Sequence, residues 1–440
     1  MSVCAAPPFS RGGCTSARVS SPVDRRRLIA LLAGASAILT SARAVSAASE
    51  SHEEPTDWPA AIAELTQAVG EHPGHAAARQ QLAVAYNNYG VSLGDRGQWA
   101  LAIQQLQQAM ALDSANQQFR ENLTKVFFNQ AQDAYQRHQV LEAVSALDQA
   151  ITLTPNFPQG YALRGEIEYN RQKLKEAKAA WQRALALDPT QTALAERLRQ
   201  VTQELPVESK FERLSQASFD LRYEEVIEHP VGFDVQETLL EARRLVGTDF
   251  ACWPRHKLVV LIYSAESFHA LRQETPDWVG GQFDGKIRVP MPSSQLNQAT
   301  VKQILFHEYT HALVYDLTKG QCPTWMNEGL AEYEGRTQQA GSVARLARAY
   351  DTQRWIPWTE LSAHISTSLP AEEVALAYEE SYSIVAYLVK RYGFWRIRRI
   401  LKAIAEGRSW DAALGEETRL TLDRLEANWR DWLPEWFAGG

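Results

Sequence analysis

Several things are scarce in this chain, and each scarcity narrows what it can be. Of 440 residues only four are cysteine and ten histidine. Cys4 and Cys14 precede the first apolar run, which leaves Cys252 and Cys322 in the body of the chain. Two cysteines could pair in an oxidising compartment, but spacing alone does not establish it. No set of four nearby Cys or His residues exists to close a structural metal site. No basic run of five or more follows the N-terminal region, and the formal net charge is −7, so there is no electrostatic footprint for nucleic acid. There is also no Walker loop, no Rossmann glycine pattern and no G-x-S-x-G, which removes the common nucleotide-binding and serine-hydrolase readings.

What is present divides along the chain. Its length suits two or three domains, and 45% hydrophobic with 10% aromatic residues can fill ordinary cores. At the N-terminus Asp24-Arg25-Arg26-Arg27 precedes the apolar stretch Leu28 to Leu39, then Ala42-Arg43-Ala44 and Val45-Ser46-Ala47. That is the order of an export signal over residues 1–47. The apolar run falls short of the roughly 20 residues a membrane span takes, although an uncleaved anchor is the competing reading. The arginine pair points to the twin-arginine route, with Sec export the alternative. The expected location is the periplasm or envelope, with an organellar lumen second, and the mature chain is expected to have no membrane span.

From about residue 55 to 205 the sequence repeats. "AIAELTQAVGEHPGH" (61–75), "AIQQLQQAMALDSAN" (102–116), "AVSALDQAITLTPNF" (143–157) and "AKAAWQRALALDPTQ" (177–191) share one pattern. An alanine is followed by a large apolar residue four on and an alanine three further on, then by a turn. The starts Ala61, Ala102, Ala143 and Ala177 lie 41, 41 and 34 apart. The last interval, with Tyr86, Gly90, Gly97, Ala102 and Ala109, resembles tetratricopeptide repeats. The seven extra residues equal two helical turns, which a longer first helix or a longer loop absorbs. Such a resemblance implies a solenoid that offers a surface to a protein partner or substrate; serving only as a spacer is the alternative.

Glu204 to Lys210, with its proline, reads as a linker, and the texture then changes. "FERLSQASFDLRYE" ends in strand-like alternation, "QETLLEARRLVG" has helical spacing, and "HKLVVLIYS" is a buried strand. "ESFHALRQ" is a short helix, and "GGQFDGKIRVPM" a glycine-bounded strand carrying an Asp-Gly turn signal. A helix from about 298 to 317 follows. Residues 206–440 therefore read as an α+β domain.

Within "LFHEYTHALVYDL" (305–317), His307 and His311 are four apart, which puts both imidazoles on one helix face, close enough to grip one ion. Glu308 is rotated by about 100° and lies beside that ion, where it can take a proton from an activated water. The neighbours Val301, Ile304, Leu305, Ala312, Leu313 and Val314 are apolar, so imidazole and carboxylate groups there need a ligand or partner. A catalytic zinc wants three protein ligands and one open position. "CPTWMNEGLAEYEG" (322–335) holds Glu328 and Glu332 one turn apart on an expected helix from 323 to 335. One can bind metal and the other hold the outer nitrogen of a zinc histidine; an exposed glutamate is the bland reading of Glu332.

His307-Glu308-x-x-His311 followed by Asn327-Glu328-Gly329-Leu330-Ala331-Glu332-Tyr333 resembles the gluzincins, including the aminopeptidase N family and the peptidase-MA-like proteins. The resemblance implies one Zn2+ held by His307, His311 and Glu328, with Glu308 as general base and Glu332 as the carboxylate behind the ligands. "AYEESYSIVAYLVKRYG" (377–393) resembles the helix after the active site in those enzymes, which implies Tyr378 as the oxyanion donor. Tyr382 is the alternative candidate, and packing the bland one. "GGQFDGKIRVP" resembles the edge strand that holds substrate backbone in zincins. The aminopeptidase motif Gly-Ala-Met-Glu-Asn is missing, so the resemblance does not extend to removal of N-terminal residues. The expectation is a zinc-dependent peptidase joined to a tetratricopeptide solenoid, against an interaction protein whose zinc domain is structural or inactive.

Overall fold

The computed structural model describes residues 57–227, 229–254, 256–271, 281–291, 298–366 and 368–438. The expected export signal lies outside the described residues. Two compact units are present: one runs through residue 169 and resumes over 173–201, and the other comprises 202–440 with 170–172.

The first unit is an array of paired helices. They are α1 (Trp58–Glu71), α2 (Ala76–Asp95), α3 (Trp99–Leu112), α4 (Gln117–Gln136), α5 (Val140–Leu153), α6 (Pro158–Asn170) and α7 (Leu174–Leu187), followed by α8 (Thr192–Glu208). The repeated alanine and large-apolar positions are the contacts between helices. Ala102, Leu106, Ala109, Ala143, Leu147, Ala150, Ala177, Trp181 and Ala184 are all fully buried. The unequal repeat spacing resolves into helix length. The second helices α3, α5 and α7 each have 14 residues, whereas the first helices α2 and α4 have 20 and α6 has 13. The longer helix, not a longer loop, absorbs the seven residues. Each helix pair also turns in the same way. Gly97, His138 and Gln172 hold φ of 70°, 59° and 58°, and the residue after each donates its N–H back to Leu93, Ala134 or Glu168. Glycine suits that left-handed position, and the other two repeats accept its cost.

The first part of the segment expected as a linker is helical. Helix α8 continues through Pro206 to Glu208. A proline inside a helix costs about 3 kcal/mol or more, and here buried polar contacts on the end of α8 oppose that cost. Arg288 reaches Glu208 at 2.8 Å and Glu204 at 3.3 Å, and the Tyr263 hydroxyl donates to Glu208 at 2.6 Å.

The second unit carries one mixed sheet of β1 (Glu212–Ser215), β2 (Phe219–Tyr223), β3 (Leu258–Ser264), β4 (Gln282–Phe283) and β5 (Ile287–Met291). The strand order is β1-β2-β3-β5-β4. β3 pairs in parallel with β2 and β5, while β1 and β4 are antiparallel edges. Two segments expected to hold one strand each hold a hairpin. The first spans β1 and β2; in the second, Asp284-Gly285-Lys286 turns β4 into β5. β3 is buried on both faces, as its unbroken apolar run requires. Leu258, Val260 and Ile262 join the main core with Ile287, Val289 and Met291 of β5. Helices α9 (His229–Phe250) and α10 (Ala265–Leu271) flank the strands, and the rest of the unit is helical: α11 (Gln298–Thr318), α12 (Thr324–Arg336), α13 (Ala344–Asp351), α14 (Leu361–His364), α15 (Ala371–Tyr392), α16 (Phe394–Ala405), α17 (Trp410–Thr418) and α18 (Leu422–Ala438). Together they give the expected order, helical repeats and then a small mixed sheet with helices. No helix among the described residues is long and apolar enough to cross a membrane.

Candidate metal centre

Helix α11 is apolar nearly all round, and the fold encloses it accordingly. Every residue from 305 to 314 is buried, with Leu305, Phe306, Tyr309, Ala312, Leu313 and Val314 in the main core. His307, Glu308 and His311 are buried along with them.

Helix α12 crosses beside α11 and supplies the facing carboxylate. The Glu328 Oε2 atom lies 3.5 Å from His307 Nε2 and 3.4 Å from His311 Nε2. One donor atom from each of these three residues falls within 4.8 Å of the others. The two imidazole rings stand nearly perpendicular, their centroids 4.7 Å apart. Neither His307 Nε2 nor His311 Nε2 has a hydrogen-bond partner, and both are buried. A buried polar atom left so costs about 1–3 kcal/mol. Two imidazole nitrogens and a carboxylate oxygen converging on one point are a donor set suited to zinc, so these residues fit the ion.

Charge at the site follows from these neighbours. Burial would lift the Glu328 carboxyl, but the His311 and His307 imidazoles hold it down to about 2. Burial opposes protonation of His307, yet Glu328 and Glu332 beside it raise it to about 9. The carboxylates are thus ionised, and a metal ion bound here would displace the proton from His307.

Glu332 sits one turn after Glu328. Its Oε1 is 3.4 Å from His307 Nδ1, the nitrogen turned away from Glu328. Its other oxygen receives the Nε–H of Arg336 at 2.7 Å. Burial raises the Glu332 carboxyl, but His307 and Arg336 outweigh it and bring it to about 2. Glu332 is 5% exposed, so it is no solvated helix glutamate.

Two glycines make the arrangement possible. A Cβ on Gly329 would stand 2.4 Å from the Ser381 carbonyl oxygen, so α12 and α15 touch backbone to backbone beside Glu328. A Cβ on Gly281, just before β4, would meet Glu308 Oε1. The strand entry and Glu308 are therefore in direct contact.

Helix α15 carries both tyrosine candidates. Tyr378 is fully buried in the main core, one turn before Ser381. The Tyr382 ring is half-buried and lies under the Arg336 guanidinium, 4.3 Å from its Cζ, with Trp436 of α18 at 5.6 Å on centroids. Cys252 and Cys322 are both free thiols, and burial pushes both thiol pKa values up. Neither the role of Arg336 nor the contact of Gly281 with Glu308 is legible in the sequence. The i, i+4 spacing of Glu332 and Arg336 was the available signal for the first; nothing local marks the second.

Residues 255–435 match the model of the Peptidase MA superfamily, and residues 158–191 match that of the tetratricopeptide repeat. The chain therefore holds a peptidase-MA-like domain and a repeat array. No curated protein matches it. Among solved structures, the first TPR domain of Spaghetti (RPAP3) bound to an HSP90 peptide is similar at 25% identity, covering 29% of this chain and 95% of that one with a TM-score of 0.22. The first TPR domain of the human RPAP3 protein is 24% identical, covers 29% of this chain and 94% of its own, and has a TM-score of 0.21.

Proposed function

We propose that the chain is a zinc-dependent peptidase whose repeat array holds a protein partner or substrate. The observation that carries this reading is the convergence of His307, His311 and Glu328 on one point, with Glu308 the next residue after the first histidine. In this proposal those three residues hold one Zn2+. A bound zinc acidifies water towards a pKa of about 7 and polarises a carbonyl.

Glu308 takes the proton of the attacking water and passes it to the departing amine. Its burial keeps that carboxylate out of bulk solvent. Glu332 holds His307 through Nδ1, so the other ring nitrogen stays turned to the metal. Tyr378 donates its phenol hydrogen to the oxyanion of the attacked carbonyl. The substrate chain lies along β4, an edge of the sheet, adding itself as a further strand. The proposed place of action is the periplasm or envelope.

The test compares wild type with Glu308→Gln, both of measured zinc content, by proteome-wide cleavage profiling. The expected result is one zinc per chain in both, with cleavage reduced about 10²–10⁴-fold in the variant. Zinc in both proteins with cleavage in neither would favour an interaction protein built on an inactive domain. His307→Ala should lose the ion, and a wild-type chain without stoichiometric zinc ends the reading.

A further inference from the structure

Arg336 closes helix α12, and its side chain is only 7% exposed. Burying a guanidinium costs several kcal/mol unless it is paired and hydrogen-bonded. Here Nε, Nη1 and one face of the group are engaged. Nε donates to Glu332 Oε2 at 2.7 Å, and Nη1 donates to the Ser342 carbonyl at 3.2 Å. The Tyr382 ring supports the face, with Cζ 4.3 Å from the ring centroid. Tyr382 is in turn packed by Trp436 of the C-terminal helix α18. The arginine is thus held by two contacts, the Ser342 carbonyl and the Tyr382 ring, besides its bond to Glu332.

Glu332 faces two ways. One oxygen is taken by Arg336 and the other faces His307 Nδ1 at 3.4 Å. A carboxylate gripped at one oxygen loses its freedom to rotate, so the direction of its second oxygen is fixed by whatever grips the first. Arg336 also supplies the positive charge that keeps a buried carboxylate next to an imidazole rather than drawn out to water.

We propose that Arg336 is a positioning residue for the metal centre. Seated on Tyr382, it aims Glu332 at His307 and so sets the plane of the His307 ring. The inference rests on the zinc peptidase reading, and it adds a layer to it that runs from α18 through Tyr382, Arg336 and Glu332 to a ligand. A simpler role is available: a cation in the last turn of a helix favours the helix dipole, worth about 0.3–1 kcal/mol. That role would move stability and leave the His307 ring untouched.

The experiment measures zinc affinity by chelator competition, the imidazole nitrogen shifts of His307 in the metal-free protein, and thermal stability, for the full chain and its variants. Arg336→Ala should weaken zinc about tenfold, the lower end of what loss of a group behind a ligand costs, and should shift the His307 Nδ1 signal. Arg336→Lys, which keeps charge but loses the planar donor and the stacked face, should fall between. Tyr382→Ala should move both readouts in the same direction as Arg336→Ala, whereas Tyr382→Phe, which keeps the ring, should match wild type in both. Wild-type zinc affinity and an unchanged His307 signal in Arg336→Ala would overturn the proposal. So would a loss of affinity in Tyr382→Phe, which would give the weight to the hydroxyl. If Arg336→Ala does not fold, the Tyr382 pair decides. If wild type itself binds no zinc, the peptidase reading falls, and the metal-free His307 signals still decide whether Arg336 sets the ring.

Discussion

Gly281 and Glu308 are in contact through a missing side chain. A Cβ at position 281 would stand 2.7 Å from Glu308 Oε1 and 2.9 Å from Cγ and Cδ. An exposed glutamate would swing aside from such a methyl group. Glu308 is fully buried and has nowhere to go. Gly281→Ala should therefore displace the proposed general base without touching a metal ligand. The expected outcome is turnover lowered by about 10²-fold, in keeping with the sensitivity of catalytic geometry to small displacements, with zinc content unchanged. Steady-state kinetics beside metal analysis would show it, and unchanged turnover would mean that the carboxylate tolerates the shift.

Tyr378 is predicted to act through its hydroxyl. Tyr378→Phe keeps the ring in the core where it packs, so the fold and the zinc content should hold. Loss of one oxyanion donor typically costs about 10²–10³ in kcat, and that is the expected size here with KM little changed. A variant with wild-type kcat would reduce Tyr378 to a packing residue.

Glu380, next to the tyrosine helix's contact with α12, gives the domain a pH dependence of its own. It is fully buried, and both of its oxygens lie 3.1 Å from the Ile356 N–H. Burial lifts its carboxyl from 4.5 to about 8, with the Ile356 N–H opposing and Glu426 and Glu379 adding to the rise. The folded chain therefore keeps a proton that the unfolded chain gives up. Stability from this group is full below about pH 4.5 and is lost progressively as pH climbs to about 8. Glu380→Gln keeps the acceptor and removes the titration. Denaturant unfolding between pH 5 and pH 8 should show a flatter profile, by up to one proton, about 1.4 kcal/mol per pH unit. Equal slopes in the two proteins would contradict the assignment.

Much of this was legible because it is periodic or local. The alanine and large-apolar repeat named the buried seams of the helical array, and the unbroken run in "HKLVVLIYS" named a strand covered on both faces. The spacing of His307 and His311 by itself puts two imidazoles on one side of a helix. What escaped was non-local. Arg288 grips Glu208 across 80 positions, and nothing near either residue announces the partner. That contact helps keep α8 helical through Pro206, where local rules alone suggested a break. Gly281 meets Glu308 by a close approach of backbone to side chain that no pattern in "GGQFDG" encodes. Each hairpin reads as a single strand because its turn is short and each arm has five residues or fewer.

Residues 305 to 314 of α11 are enclosed without interruption, so this stretch of the helix has no side open to solvent. Its amide hydrogens meet solvent when the surrounding core opens, at a cost that approaches that of unfolding the unit. The lifetime of the His307 and His311 geometry is then the lifetime of the folded domain. Heat or denaturant would abolish the metal centre in the same event that melts the sheet, not as an early and separate step.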